Sequence, residues 1–448
     1  MRAGERAERP GWYGRNRVLV WVCVLIAVNQ LGFGSIVPVI PLYAREFGVS
    51  QSAIGLTIAI YGLARFLINM PAGQLSDRIG RRGALAVGGL VTAGGNLLCG
   101  LAPAYLPFLA ARFVAGAGAA LVLTASQVAL ADISTPERRG RIMAVYSGVF
   151  AFAVGAGPFP GGLLAERFGL AMPFYAFTVL GILAAAVAWF RVPETKGLAA
   201  QAAARAGQGA AGQQAISFRA QLRLLTAQAG FLLVSLVSFS SFFARTGALF
   251  NLIPVLGKER LDLGPDRIGF GLGLISVLGL GLAYPSGMLV DRFGRKGVIV
   301  LSTVLTGSSL LLFAFAPTYG WFLGACATWA IASGINSAAP SAYAADMAPP
   351  GMNAAAMSAY RMLADAGYVV GPLLLGLAAD TAGTNPALAG TAALLVAAAL
   401  LFARYAPETL PSRTAAAPQV VTEPPTTEPL AVPTGGPEAP RTPRPGDD

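Results

Sequence analysis

The 448-residue sequence contains no histidine, only three cysteines, and charged residues at just 12% of its length. Each shortage removes a class of chemistry. Without histidine there is no Ser–His or Cys–His nucleophile pair, no histidine metal ligand and no imidazole proton relay. Cys23, Cys99 and Cys326 all fall in apolar stretches, where they are expected to pack and imply no disulfide framework. Neither a metal nor a cofactor is expected. A GxxxxGK[ST] phosphate loop is also missing, which argues against ATP as an energy source within this chain. The lack of charge sets the broad class. A soluble domain carries roughly 25% charged residues, and this chain has too few to coat a soluble surface.

What it has instead is apolar length: 55% hydrophobic residues and a mean hydropathy of +0.62. Twelve apolar runs can be counted, with soft ends, at 18–43, 54–75, 83–101, 105–131, 142–164, 172–190, 231–256, 268–290, 298–315, 319–345, 354–379 and 386–403. A helix of about 20 residues crosses a bilayer core of roughly 30 Å. The expectation is an all-α membrane protein with twelve transmembrane helices. Its organisation reads as a short N-terminus (1–17), a six-helix bundle (18–190), a linker (191–230), a second six-helix bundle (231–405) and a tail (406–448). The linker is Ala-, Gly- and Gln-rich over 197–217, and the Pro/Thr-rich tail cannot bury enough apolar surface to order itself.

The net charge of +11 is explained by topology and not by nucleic acid. With both termini cytoplasmic, 23 of the 32 Lys and Arg fall in cytoplasmic segments, 5 in external loops and 4 within the apolar runs. That is the positive-inside bias, and it places a multi-pass protein in the plasma (inner) membrane. The first run is long and no small-residue cleavage site follows it, so it reads as a retained helix.

The chain also repeats itself. "GQLSDRIGRR" (73–82) returns as "GMLVDRFGRK" (287–296), 214 positions later. The same offset pairs Ile54–Gly55 with Ile268–Gly269, Pro71 with Pro285, and Asp132 with Asp346. It also pairs Gly157–Pro158 with Gly371–Pro372, and "PET" at 193–195 with "PET" at 407–409. One register held over about 140 residues makes the chain two six-helix halves. An even helix count makes them parallel repeats about an axis along the membrane normal.

Two six-helix halves with this decapeptide between helices 2 and 3, and again between 8 and 9, resemble the major facilitator superfamily of secondary transporters. "GQLSDRIGRRGAL" fits the main positions of the family's loop motif and departs only at Ser76. The resemblance implies alternating access, with a substrate site between the halves near the bilayer midplane. It also implies a gating clasp built from Gly73, Asp77, Arg78, Gly80, Arg81 and Arg82 with Asp132, and from Gly287, Asp291, Arg292, Gly294 and Arg295 with Asp346. The glycines are expected where helices approach closely. Arg81 is expected within salt-bridge reach of Asp132, with Arg138 and Arg139 as rivals, and Arg295 within reach of Asp346. "RFVAGAGAA" in helix 4 resembles the family's helix-4 arginine motif. "GPFPGG", with Gly157, Pro158, Gly161 and Gly162, resembles the core of the helix-5 motif of drug–proton antiporters. It departs from the longer form at Ala144 and Ala153, and simple tight packing is the other reading.

Residues the repeat does not duplicate are the better candidates for substrate and coupling. Four arginines and one carboxylate lie deep in the runs without a counterpart: Arg65, Arg112, Arg245, Arg361 and Asp365. A charge at such depth costs several kcal/mol and usually faces a cavity or a partner. Arg112 and Arg245 are expected to face one central cavity from opposite halves, with Arg65, Asn29, Gln30 and Asn69 as further lining. The four arginines leave two readings open, a cavity for organic anions or arginines spent on carbonyls and helix ends. Asp365 is the one acidic residue deep in a helix, about 16 Å from the cytoplasmic edge at 1.5 Å per residue. It is therefore the default proton carrier. Arg361, four residues earlier on the same face, either pairs with it permanently or leaves it in one access state.

The function expected from the whole is a proton-coupled secondary transporter exporting small organic compounds or drugs, as a monomer whose partners are its substrate, protons and the lipid bilayer. The alternative is an importer or exchanger of an organic anion. A non-transporting receptor on the same fold is the remote third.

Overall fold

Backbone inside hydrocarbon must satisfy its own hydrogen bonds, and every regular element among the described residues is a helix. The computed structural model describes residues 12–134, 136–197, 223–225, 227–336, 339–349 and 353–409. Most of the expected linker, nearly all of the tail, Gly287 as a packing position, and the side chains of Asp291 and Arg292 lie outside the described residues.

The first half consists of span 1 (Trp12–Ile36, followed by a short helix Ile40–Glu46), span 2 (Gln51–Ile79), span 3 (Arg81–Gly100) and span 4 (Tyr105–Asp132). Span 5 follows as Pro136–Ala156 and Pro158–Phe168, and span 6 as Met172–Arg191. In the second half, span 7 runs Ala229–Phe243, then π-helical over Ala244–Leu252, then Ile253–Leu261. Spans 8 and 9 form one continuous stretch, Pro265–Ala314, broken only at Gly294. Span 10 comprises Tyr319–Ile335 and Ala339–Asp346, span 11 is Asn353–Ala382 and span 12 is Thr384–Tyr405.

Most expected runs are found as helices, with differences that have local causes. The first run breaks after Ile36, ahead of Pro41 in the short second helix. The tenth stops being helical at Asn336, so eleven helices among the described residues are individually long and apolar enough to cross a membrane. Between spans 8 and 9 the expected loop shrinks to Gly294, whose φ of 76° matches the 86° of its repeat partner Gly80. That backbone geometry favours glycine, which explains why both decapeptides keep one there.

The halves meet along two seams, span 2 against span 11 and span 5 against span 8, which the repeat exchanges. Here the backbones nearly touch. A Cβ on Gly55 would overlap the carbonyl oxygen of Pro372, and one on Gly269 that of Pro158. A Cβ on Gly162 would overlap the carbonyl of Pro265, and one on Gly376 would crowd that of Gln51. Each of these contacts maps onto another by adding 214 to one position and subtracting it from its partner.

The hydrophobic core divides accordingly. At the end away from the decapeptides one cluster joins both halves, including Tyr43, Phe108 and Phe174 with Leu249, Phe313 and Phe322. At the decapeptide end each half has its own cluster, around Leu85, Leu130 and Tyr146 in the first and Val298, Tyr343 and Phe402 in the second. The molecule is therefore closed at one face and parted at the face bearing the decapeptides, termed the motif face below. Gly73, Gly148 and Gly281 show the same: a Cβ on any of them would meet nothing within 4 Å. For Gly73 this corrects the expectation of a close helix approach, because the helices it would separate are parted in this state.

Candidate functional site

On the motif face the first decapeptide closes into a charged cluster. Gly80 turns the chain sharply, so Arg81 begins span 3 with its side chain turned back toward span 4. Its Nε donates to Asp132 Oδ2 at 2.8 Å, and its Nη1 donates to Asp77 Oδ1 at 2.7 Å and to the Ser76 carbonyl at 3.1 Å. The expected rival Arg138 donates instead to Asn16, and the side chain of Arg139 lies outside the described residues. Arg82 stacks over Trp189 at 4.7 Å, and the Arg78 carbonyl accepts from Lys196 Nζ at 3.1 Å. In the second half Arg295 forms an ion pair with Asp346 and donates to the Ala342 carbonyl at 3.0 Å.

Three residues at this face were not singled out from sequence. Glu194 accepts from the backbone N–H of Arg81 at 2.9 Å and of Arg82 at 3.2 Å, capping the first turn of span 3. Glu408 does the same for Arg295 and Lys296, each at 3.1 Å. Thr195 Oγ1 donates to the same Asp132 oxygen that Arg81 binds, at 3.0 Å. The signal was present, since both glutamates sit in the repeated "PET". A helix N-terminus favours a carboxylate because its free N–H groups and dipole point at it.

Glu194 also carries a pH prediction. Its partial burial alone would raise its pKa, but backbone donors from Lys196, Arg81, Arg82 and Thr195 outweigh that and hold it below the ordinary carboxylate range. A carboxyl depressed on folding stabilises the fold above its unfolded pKa of about 4.3, and that contribution is lost as pH falls through the lower folded value. Thermal melting of the wild type is expected to lose stability below about pH 4, while Glu194→Gln, already weakened at pH 7, changes less. Parallel melting curves for the two proteins from pH 7 down to 3.5 would remove Glu194 as a cap.

The helix-5 motif turns out to be a packing surface. Gly157 packs against Gly34, Gly161 against the Ser35 carbonyl and Gly162 against Pro265, while the Pro158 carbonyl receives Gly269. These four residues join span 5 to spans 1 and 8. On the closed face, Asp380 accepts from the backbone N–H of Gln51 at 2.7 Å and of Ser52 at 2.8 Å, tying span 11 to span 2. An Arg45–Glu259 ion pair also links the halves there.

Between the two faces lie the unduplicated charges. Arg112 is 1% exposed; its Nε donates to the Thr57 carbonyl at 3.3 Å and its guanidinium covers the Tyr61 ring at 4.5 Å. Its Nη1 has no hydrogen-bond partner. Arg245 lines a compartment with Leu249 and Trp329, its guanidinium 5.6 Å from the Phe250 ring centroid. The two arginines do not share one open cavity, contrary to expectation. They line adjoining compartments with Val37 and Phe250 as common walls. Arg112 is withdrawn because a ring and a carbonyl already hold it within the first half.

Arg65 and Asp365 line a third compartment with Asn69 and Tyr368, where spans 2 and 11 begin to part. The Arg65 guanidinium lies 5.9 Å from the Tyr368 ring centroid. No ion pair within 4.0 Å joins Asp365 to Arg361, and Arg361 is exposed. Asn69 accepts from Thr124 at 3.3 Å. Asn29 and Gln30 are buried in span 1 and line none of these three compartments, and Asn29 Nδ2 lacks a partner. Tyr61, Phe250 and Tyr368 were missed from sequence, because an aromatic in an apolar helix looks the same whether it fills a core or divides a cavity.

Comparison with known proteins agrees with this architecture. The model of the Major Facilitator Superfamily matches residues 22–284 and 234–437. The chain is 25% identical over 369 residues to an uncharacterized MFS-type transporter of Methanocaldococcus jannaschii, covering 82% of this chain and 92% of that protein. It is 30% identical over 316 residues to the class C tetracycline resistance protein of Escherichia coli, covering 68% of this chain and 75% of that protein. Among solved structures it superposes on a bacterial homolog of the human lysosomal transporter Spinster with a TM-score of 0.71 at 15% identity, covering 88% of this chain and 97% of the other. For a D-xylose–proton symporter the TM-score is 0.69 at 18% identity, with 88% and 99% covered.

Proposed function

Because the chain belongs to the major facilitator superfamily, and is therefore a secondary transporter rather than an enzyme, we propose that it is a proton-coupled exporter of small organic compounds. The observation that carries this reading is Asp365, an acidic side chain deep in a span, half-buried, in a cavity with Arg65 and without an ion-pair partner within 4.0 Å. A carboxyl so placed can take up and release a proton as its surroundings change between access states. The similarity to a tetracycline resistance protein supports export and a drug-like substrate.

The motif face is read as cytoplasmic because the basic residues concentrate there, which puts both termini inside the plasma membrane and makes this the inward-open state. The halves, 18–190 and 231–405, rock about the midplane while the Arg81–Asp132 and Arg295–Asp346 pairs, with their glutamate caps, act as the clasp. Substrate enters between the parted halves and protons drive the return. The working unit is a monomer. The alternative, import or exchange of an organic anion, is favoured by Arg65, Arg112 and Arg245 surrounding the midplane compartments.

The test is a susceptibility and transport screen in a pump-deficient host, with and without an uncoupler. Extrusion that stops with the uncoupler is the expected result. Extrusion indifferent to the uncoupler would overturn proton coupling, and binding without movement would return the receptor reading.

A further inference from the structure

Three arginine compartments adjoin one another, and neighbouring ones share an aromatic ring as a wall. Phe250 is a wall of both the Arg245 and the Arg112 compartments, and Tyr368 is a wall of both the Arg112 and the Arg65–Asp365 compartments. The central one is the most unusual. Arg112, fully buried and with no partner for its Nη1, lines it together with rings and aliphatic side chains, and the phenol of Tyr368 is the other polar group on its wall. Phe33 and Tyr61, on its first-half side, stack at 5.3 Å with 21° between their planes. A buried donor left unpaired costs free energy that a bound acceptor would recover.

We propose that this compartment anchors the carboxylate of an aromatic acid, with Arg112 Nη1 as the donor and the aromatic body lying in the neighbouring Arg245 compartment. This rests on the transporter reading and names its substrate class. Leu249, Leu272, Ile275 and Trp329 give the Arg245 compartment apolar and aromatic surface for the body, although in the state seen it too has room for only about two water molecules and must open to take it. A cationic ligand in these two compartments would meet two guanidiniums and no carboxylate. An inorganic oxyanion would find one free guanidinium donor and a single phenol, that of Tyr368, with apolar side chains around the rest. A planar acid satisfies both features, a charge-assisted hydrogen bond at one end and ring contacts along the rest.

In the state seen, Phe250 and Tyr368 close the Arg112 compartment to a gap of about one water molecule. Ligand admission therefore requires Phe250 to move, and the helix that carries it is built to do so. Phe250 and Arg245 both lie in the nine-residue π-helical segment Ala244–Leu252 of span 7. Such segments are rare and carry an extra residue per turn. Reverting to α geometry turns the helix by about 100° for each residue absorbed. One such step swings Phe250 aside and merges the two compartments.

The test uses the purified full-length protein in lipid nanodiscs and three radiolabelled probes in equilibrium dialysis: 1-naphthoate, its neutral isostere 1-naphthamide, and cyclohexanecarboxylate. Naphthoate is expected to bind at least about tenfold more tightly than naphthamide, as befits a hydrogen bond to a charged group, and more tightly than the non-aromatic acid. Arg112→Gln should abolish the preference over naphthamide, and Arg112→Lys should retain part of it. The wild-type comparison stands even if a variant fails to fold: equal binding of naphthoate and naphthamide, or no naphthoate binding, overturns the proposal. Proteoliposomes with a pH gradient and a cationic dye separate the two readings. Dye movement without naphthoate binding leaves the transporter reading intact and removes this inference. Saturable naphthoate binding with no gradient-driven movement of any probe does the reverse.

Discussion

Asp365→Asn is expected to reduce transport driven by a pH gradient to background while leaving substrate exchange without a gradient in place. The amide keeps the size and polarity of the carboxyl but cannot take up a proton at any physiological pH. Exchange needs only the substrate-loaded protein to change access, so it survives. Purified protein in liposomes measures both, by counterflow of a labelled substrate and by gradient-driven accumulation. Arg65 shares the compartment of Asp365, whereas Arg361 is exposed and makes no ion pair with it. Arg65→Gln should therefore shift the pH dependence of transport more than Arg361→Gln does. Accumulation that persists in Asp365→Asn would remove the carrier role.

The second large effect belongs to the glycine seams. Gly55→Leu and Gly269→Leu each place a side chain where the backbone carbonyl of Pro372 or Pro158 already sits. Backbone on both sides leaves no flexible group to yield, so the halves must part at the closed face. Overpacking a close-packed contact costs typically 1–3 kcal/mol, and about 2 kcal/mol alters the ratio of two states by about thirtyfold. The state closed at that face should give way to one closed at the motif face. Nitroxide labels at the motif-face ends of spans 2 and 11 should then move closer together, and transport should fall because one access state is no longer visited. An unchanged distance distribution in a stably folded variant would show that the seam does not set the access equilibrium.

The repeat explains why so much of the architecture could be read early. Contacts that follow the two-fold relation leave the same residue types at the same offset, so Gly55 and Gly269, Gly80 and Gly294, and Asp132 and Asp346 were visible as pairs before their contacts were known. The glutamates of the two "PET" segments could have been recognised by the same logic, since a duplicated acid just past a helix end suits the start of another helix. The unduplicated charges behaved differently. Depth in an apolar run located Arg112, Arg245 and Asp365 on their spans, but depth says nothing about which way a side chain points. Arg112 folds back onto Tyr61 and Thr57 within its own half, and Asp365 shares its compartment with Arg65, 300 residues away, and not with its helical neighbour Arg361.

Membrane class, helical spans, the two halves and the residues that serve both are legible along the chain. Those follow from hydropathy, glycine and proline placement, and charge, which act locally along the chain or recur at one offset. Which face is closed, and that a π-helical turn in span 7 carries Phe250, emerge only on folding. So does the division of the interior into three compartments that share aromatic walls. Those outcomes depend on how the side chains of five or more helices fill one space, and distance along the chain does not encode that competition.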